Sequence, residues 1–210
     1  RPPPEVDKLR AFYNHPGFVQ AMQSRVADAL AEFPDDQRDA VHVVFTAHSI
    51  PESMSAGCPY VEQLEESSRL VMQAFESNSS TLVYQSRSGP PTQPWLEPDV
   101  CDYLRQVKSE GEHRNVIIVP IGFISDHMEV LFDLDTEARE LCEELDLTMV
   151  RAGTVGTHPL FVKMIRELIA ERIDHAPRQA LGQYGPRHDV CPVGCCPAGR
   201  PRVAAGGGKK

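Results

Sequence analysis

Four short runs rich in β-branched residues, each followed by a turn and then by helical periodicity, leave few folds open to this chain. The runs are Val41 to Ala47 (VHVVFTA), Thr81 to Arg87 (TLVYQSR), Asn115 to Pro120 (NVIIVP) and Thr148 to Ala152 (TMVRA). Each is short for a helix and apolar enough for a buried strand. Helical stretches alternate with them, over about 59–76, 99–108, 125–145 and 158–173. A further helix, about 16–33, precedes the first run, with Phe18, Met22, Val26, Ala29 and Leu30 as its apolar stripe. The repeated strand–helix order predicts an α/β fold: a Rossmann-like four-stranded parallel sheet with helices on both faces and right-handed crossovers. Neither GxGxxG nor GxxxxGK[ST] occurs, so no nucleotide fingerprint accompanies that fold.

The 210 residues, 41% of them hydrophobic, suffice for one domain with appendages. Residues 1–15 read as a linker and connection, 16–175 as the domain, and 176–210 as a flexible Cys-containing tail. The net charge of −9 argues against nucleic-acid binding. It is uneven: residues 176–210 hold six Lys or Arg against one acid, which leaves the rest near −14. No apolar run approaches the ~18 residues of a membrane span, and no signal-peptide pattern is present. Cys58, Cys101 and Cys142 are scattered, whereas Cys191, Cys195 and Cys196 cluster in the tail. That spacing is not a secreted disulfide framework, so a cytoplasmic setting is expected. The chain starts at Arg1 without a Met, which points to processing or to a piece of a longer protein.

Chemistry-bearing residues fall at the ends of the first and third runs. His48 follows the first directly, and Pro51 turns the chain beyond it. His42, inside the run, reads as structural. The third run turns through Gly122 into an acidic helix expected to begin near Ser125. Glu129, Asp133 and Glu137 recur there at i, i+4 and i+8, one line on a helix opposite Leu131, Leu134 and Leu145. A solvated helix face has the same pattern. The first and third strands of such a sheet are commonly neighbours, so His48 and Glu129 are expected at one cleft. An imidazole with a carboxylate suits a divalent first-row metal such as Fe(II), or a proton relay. Trp95 lies in a Pro-rich loop, where it either stacks on a flat ligand or plugs the loop.

Three blocks, TAHSIP (46–51), YQSRSGPPTQPWLEPDV (84–100) and PIGFISDHMEVLFDLDTE (120–137), together resemble the carboxy-terminal half of ferrochelatases. The resemblance covers residues 5–173 and leans toward bacterial members that use coproporphyrin III, with protoporphyrin IX as the other substrate. It implies a Rossmann-like chelatase domain, a second such domain upstream, and a porphyrin distorted in the cleft between them. Fe(II) would enter as substrate while two pyrrole protons leave. His48 and Glu129 match the paired catalytic residues and iron ligands; Asp133 and Glu137 match an acidic path for metal or protons; Trp95 is a candidate porphyrin contact. Cys191, Cys195 and Cys196 match tail ligands of a 2Fe–2S cluster whose fourth ligand would lie upstream. Partners would be the porphyrin and neighbouring haem-pathway enzymes, and some members attach peripherally to membranes. A cobalt or nickel tetrapyrrole chelatase, and a non-enzymatic porphyrin- or iron–sulfur-binding module, are the competing readings.

Overall fold

The computed structural model describes residues 3–193 except Glu5 and Pro91. Strands β1 (His42–His48), β2 (Ser80–Gln85), β3 (Asn115–Val119) and β4 (Thr148–Arg151) form one parallel sheet in the order β2-β1-β3-β4. Helix α1 (Pro16–Leu30) precedes it. Helices α2 (Glu52–Ser55) and α3 (Tyr60–Met72) link β1 to β2, and α4 (Val100–Glu110) links β2 to β3. Between β3 and β4 the chain winds as α5 (Met128–Val130), a π-helical segment (Leu131–Ala138) and α6 (Arg139–Glu144). Helix α7 (Pro159–Ile173) follows β4.

The strand runs are apolar without alternation because both faces are covered. Val43, Phe45 and Ala47 of β1, with Ile117 and Val119 of β3, pack with Met22, Val26, Leu70, Phe161 and Met164 from α1, α3 and α7. Val44, Val116 and Ile118 point the other way, onto Leu104, Val107, Val130, Leu134 and Leu141. Apart from Ala47, each of these buried apolar side chains contributes about 1.5–3 kcal/mol by leaving water. The helix after β1 and the helices after β3 therefore lie on opposite faces, as right-handed crossovers running in opposite directions require.

Two expectations need correction. The acidic helix starts at Met128 rather than near Ser125, and its middle is π-wound. That winding takes more residues per turn, so Leu131 is 38% exposed while Leu134 is fully buried. The flanks of the domain are also not free. Arg10, itself 3% exposed, grips the Glu171 carboxylate at 2.6 and 2.8 Å and donates to the Gln179 carbonyl at 2.7 Å. Asn14 donates to the carbonyls of Leu181 and Gly185, and Glu66 accepts from the Gln183 N–H. The lead-in and residues 179–185 thus bind each other and the domain. Cys195 and Cys196 lie outside the described residues.

Candidate active site

In a doubly wound sheet, ligands sit beyond the carboxyl ends of adjacent strands whose connections leave in opposite directions. Here those strands are β1 and β3, paired from His42↔Val116 to Phe45↔Val119. His48 is the last residue of β1, and the loop after β3 leads to Glu129. Gly122 fastens that loop to β1: its N–H donates to the Thr46 carbonyl at 3.1 Å. A Cβ on Gly122 would meet the Ala47 Cβ at 2.7 Å, so only glycine allows this approach.

His48 is held from both sides. Its Nδ1 lies 2.5 Å from the Ser49 carbonyl, which can only accept, so Nδ1 carries the proton. The Tyr60 hydroxyl donates to the His48 carbonyl at 2.9 Å. Burial pushes the Tyr60 phenol up to about 12, which keeps that donor protonated. Fixing Nδ1–H leaves Nε2 as the functional nitrogen. Nε2 faces Glu129 Oε1 at 3.4 Å, and that oxygen is buried with no hydrogen-bond partner. The imidazole nitrogen and the carboxylate oxygen are spaced to share a single cation, either a proton or a metal ion.

The carboxylate line continues from there. Asp133 Oδ2 accepts a short hydrogen bond from Ser86 and one of 3.3 Å from Gln85 Nε2. Ser86 follows β2 directly and lies in the left-handed region (φ 63°), an uncommon conformation for a non-glycine residue. Gln85 is 1% exposed, and its Oε1 is unpartnered. Glu137 and Asp133 line a cavity of about 210 Å³ with Gln85, Ser86, Asp99 and Cys101. A second cavity, sharing Glu137, Asp99 and Cys101, opens toward Glu140 and Glu144. Burial raises the Asp99 carboxyl above its ordinary range, although the Cys101 N–H it accepts as the cap of α4 opposes that shift. Among the described residues, no group of three or more His, Cys, Asp or Glu is placed to hold a metal ion.

Trp95 is 8% exposed, and its ring packs so closely on Gly89 that no Cβ fits there. Its backbone bridges to Pro51. It plugs its own loop and presents little surface to a ligand. Cys191 is exposed and lines a cavity of about 290 Å³ that Cys58 and His188 also line. Tyr60, Gln85 and Ser86 support the site without any pattern in the sequence that marks them; the one available hint was that Gln85 and Ser86 end a strand run.

Comparison with known proteins puts the same stretch in context. The ferrochelatase family model matches residues 1–173. A ferrochelatase of Rhodopirellula baltica is 50% identical over 206 residues, covering 97% of this chain and 58% of that protein. A coproporphyrin III ferrochelatase of Streptomyces coelicolor is 46% identical over 224 residues, covering 97% and 60%. A third, of Nocardia farcinica, is 40% identical over 216 residues, covering 97% and 61%. The chain spans about three-fifths of the length of these relatives.

Proposed function

The chain belongs to the ferrochelatase family, and we propose that it forms the metal-handling part of an enzyme inserting Fe(II) into coproporphyrin III during haem biosynthesis. The observation that carries this is the uncompensated pair: His48 Nε2 and Glu129 Oε1, 3.4 Å apart, with the carboxylate oxygen buried and unpartnered. Such a gap takes up one cation at a time. Metallation needs that property, because Fe(II) must reach the four pyrrole nitrogens and two pyrrole protons must leave. His48 and Glu129 receive those protons or hand over the metal, and Asp133 and Glu137 carry the traffic to solvent. Two protein donors bind an ion weakly enough to release it to the macrocycle.

Several apolar side chains near Glu129 in the sequence are exposed. Ile124, Met128, Leu131 and Phe132, all within five residues of Glu129, are exposed at 53, 79, 38 and 54%. A rim of this kind suits a flat, largely apolar macrocycle. Coproporphyrin III is favoured over protoporphyrin IX because the Streptomyces and Nocardia relatives carry that name. No helix among the described residues is long and apolar enough to cross a membrane, and the proposed setting is the cytoplasm.

A 2Fe–2S cluster held by Cys191, Cys195 and Cys196 is the second proposal. Its support in the structure is Cys191, an exposed thiol that lines a cavity with Cys58. In the protein at its relatives' length, an iron–sulfur visible spectrum that disappears in Cys191→Ser tests it; protein of that length purified anaerobically without that spectrum contradicts it.

The main reading is tested by anaerobic insertion with Fe(II), Co(II) and Ni(II) against both porphyrins, in the protein extended to its relatives' length. Fe(II) with coproporphyrin III is expected to react fastest. A preference for Co(II) or Ni(II) would favour a different chelatase, and no insertion of any metal would favour a binding module.

A further inference from the structure

Arg151 is the last residue of β4, on the opposite side of β3 from His48. Its side chain is only 14% exposed. From there its guanidinium reaches two carboxylates of the β3–β4 connection. Nη1 lies 3.0 Å from Asp126 Oδ1, and Nε lies 2.5 Å from Asp135 Oδ1. Asp126 is three residues before Glu129 in the sequence, and Asp135 is six after it. One rigid cation therefore holds the chain on both sides of the residue that faces His48.

No side chain caps α5 at His127, and the π-helical segment that follows is a rare winding that local hydrogen bonding alone seldom selects. Arg139 also approaches Asp135, but at 3.9 Å and from a side chain that is 44% exposed. The Gly156 N–H, from the loop after β4, donates to the Ile124 carbonyl at 2.9 Å and steadies the same entry. A planar guanidinium can serve two carboxylates in fixed directions, whereas a lysine ammonium is a point charge on a flexible stem.

We propose that Arg151 is a positioning residue for Glu129: by clamping Asp126 and Asp135 it fixes the loop-to-π junction so that the Glu129 carboxylate stays opposite His48 Nε2. The inference rests on the metal-insertion reading for its consequence in catalysis, but not for its geometry. A misplacement of about 1 Å in a reacting group can cost about 100-fold in rate, so the loss of the clamp should register in turnover rather than in porphyrin binding.

The test uses Arg151→Lys and Arg151→Met, with Asp135→Asn as a milder variant should Arg151→Met fail to fold. Two quantities are read. The first is the side-chain NMR resonances of His48 in the chain itself, with Glu129→Gln as the reference for a displaced or absent carboxylate. In Arg151→Met, or in Asp135→Asn, these resonances are expected to move toward the Glu129→Gln positions, and less far in Arg151→Lys. Unchanged His48 resonances would overturn the proposal whether or not the protein inserts metal. The second is steady-state insertion at the relatives' length. We expect kcat to fall about 10-fold in Arg151→Lys and about 100-fold in Arg151→Met, with KM for porphyrin within about twofold. An unchanged kcat beside a lowered melting temperature would reduce Arg151 to a purely structural brace and also overturn the proposal. A wild type that inserts no metal would count against the proposed function instead, and the resonances would still decide the positioning role.

Discussion

Two histidines on the same strand show how environment divides their roles. His48 at the carboxyl end of β1 is about a third exposed and turns Nε2 to Glu129 Oε1 at 3.4 Å. His42 at the other end is 3% exposed and has both ring nitrogens occupied, by Ser79 at 2.6 Å and Tyr103 at 2.8 Å. Burial, with a smaller contribution from the stacked His113, pushes the His42 pKa down to about 4. The folded state therefore holds His42 neutral, while the unfolded chain protonates it near 6.5. Below that pH the unfolded state binds the extra proton, so stability is full above about pH 6.5 and drains as pH falls toward 4. The loss should reach about 3 kcal/mol by pH 4, at about 1.4 kcal/mol per unit. Urea unfolding at pH 7 and pH 5 checks it: the wild type should lose more stability between the two than His42→Gln does.

At the scale of elements, the site depends on how the end of β3 meets β1. Gly122→Ala forces a Cβ to within 2.7 Å of the Ala47 Cβ and 2.9 Å of its Cα, neither of which can swing away. Overpacking of this kind costs about 1–3 kcal/mol. The β1–β3 approach should widen, so the variant is expected to unfold at lower urea and to lose insertion activity beyond what its lost stability explains. The strands were legible from their β-branched runs, and observed ends fall within about two residues of those expected. The helical line Glu129, Asp133, Glu137 was legible too. Its π winding was not, because residues four apart stay near one line under either winding, and the difference lies in backbone bonding that no side-chain pattern reports. The partners that hold the line were hidden for another reason. Ser86 and Gln85 come from another strand, 47 and 48 residues away from Asp133, and single-chain periodicity carries no information about such pairings.

Across the whole molecule, the segments before and after the domain close on each other. Arg10 and Glu171 are 161 residues apart and almost wholly buried, at 1 and 2% side-chain exposure. Removing one partner of a buried pair strands the other charge and costs about 3–5 kcal/mol. Arg10→Ala is therefore expected to destabilise by about that much in urea unfolding, whereas Arg10→Met with Glu171→Leu should recover most of the loss. The tail reading of residues 176–210 rests on Pro, Gly and Arg without periodicity, which give no sign of the packing seen at residues 179–185. What holds the segment down is a set of backbone groups bonded to Glu66, Asn14 and Glu171, which is invisible to composition.

The pair at the switch point is tested most directly by anaerobic Fe(II) insertion into coproporphyrin III by the protein at its relatives' length, wild type beside His48→Ala and Glu129→Gln. Following porphyrin absorption, the wild type should metallate, and each variant should be slower by about 100-fold or more, the usual worth of a positioned acid–base group. Porphyrin binding should persist in both. Insertion at wild-type rates in either variant would contradict the role assigned to the gap between Nε2 and Oε1.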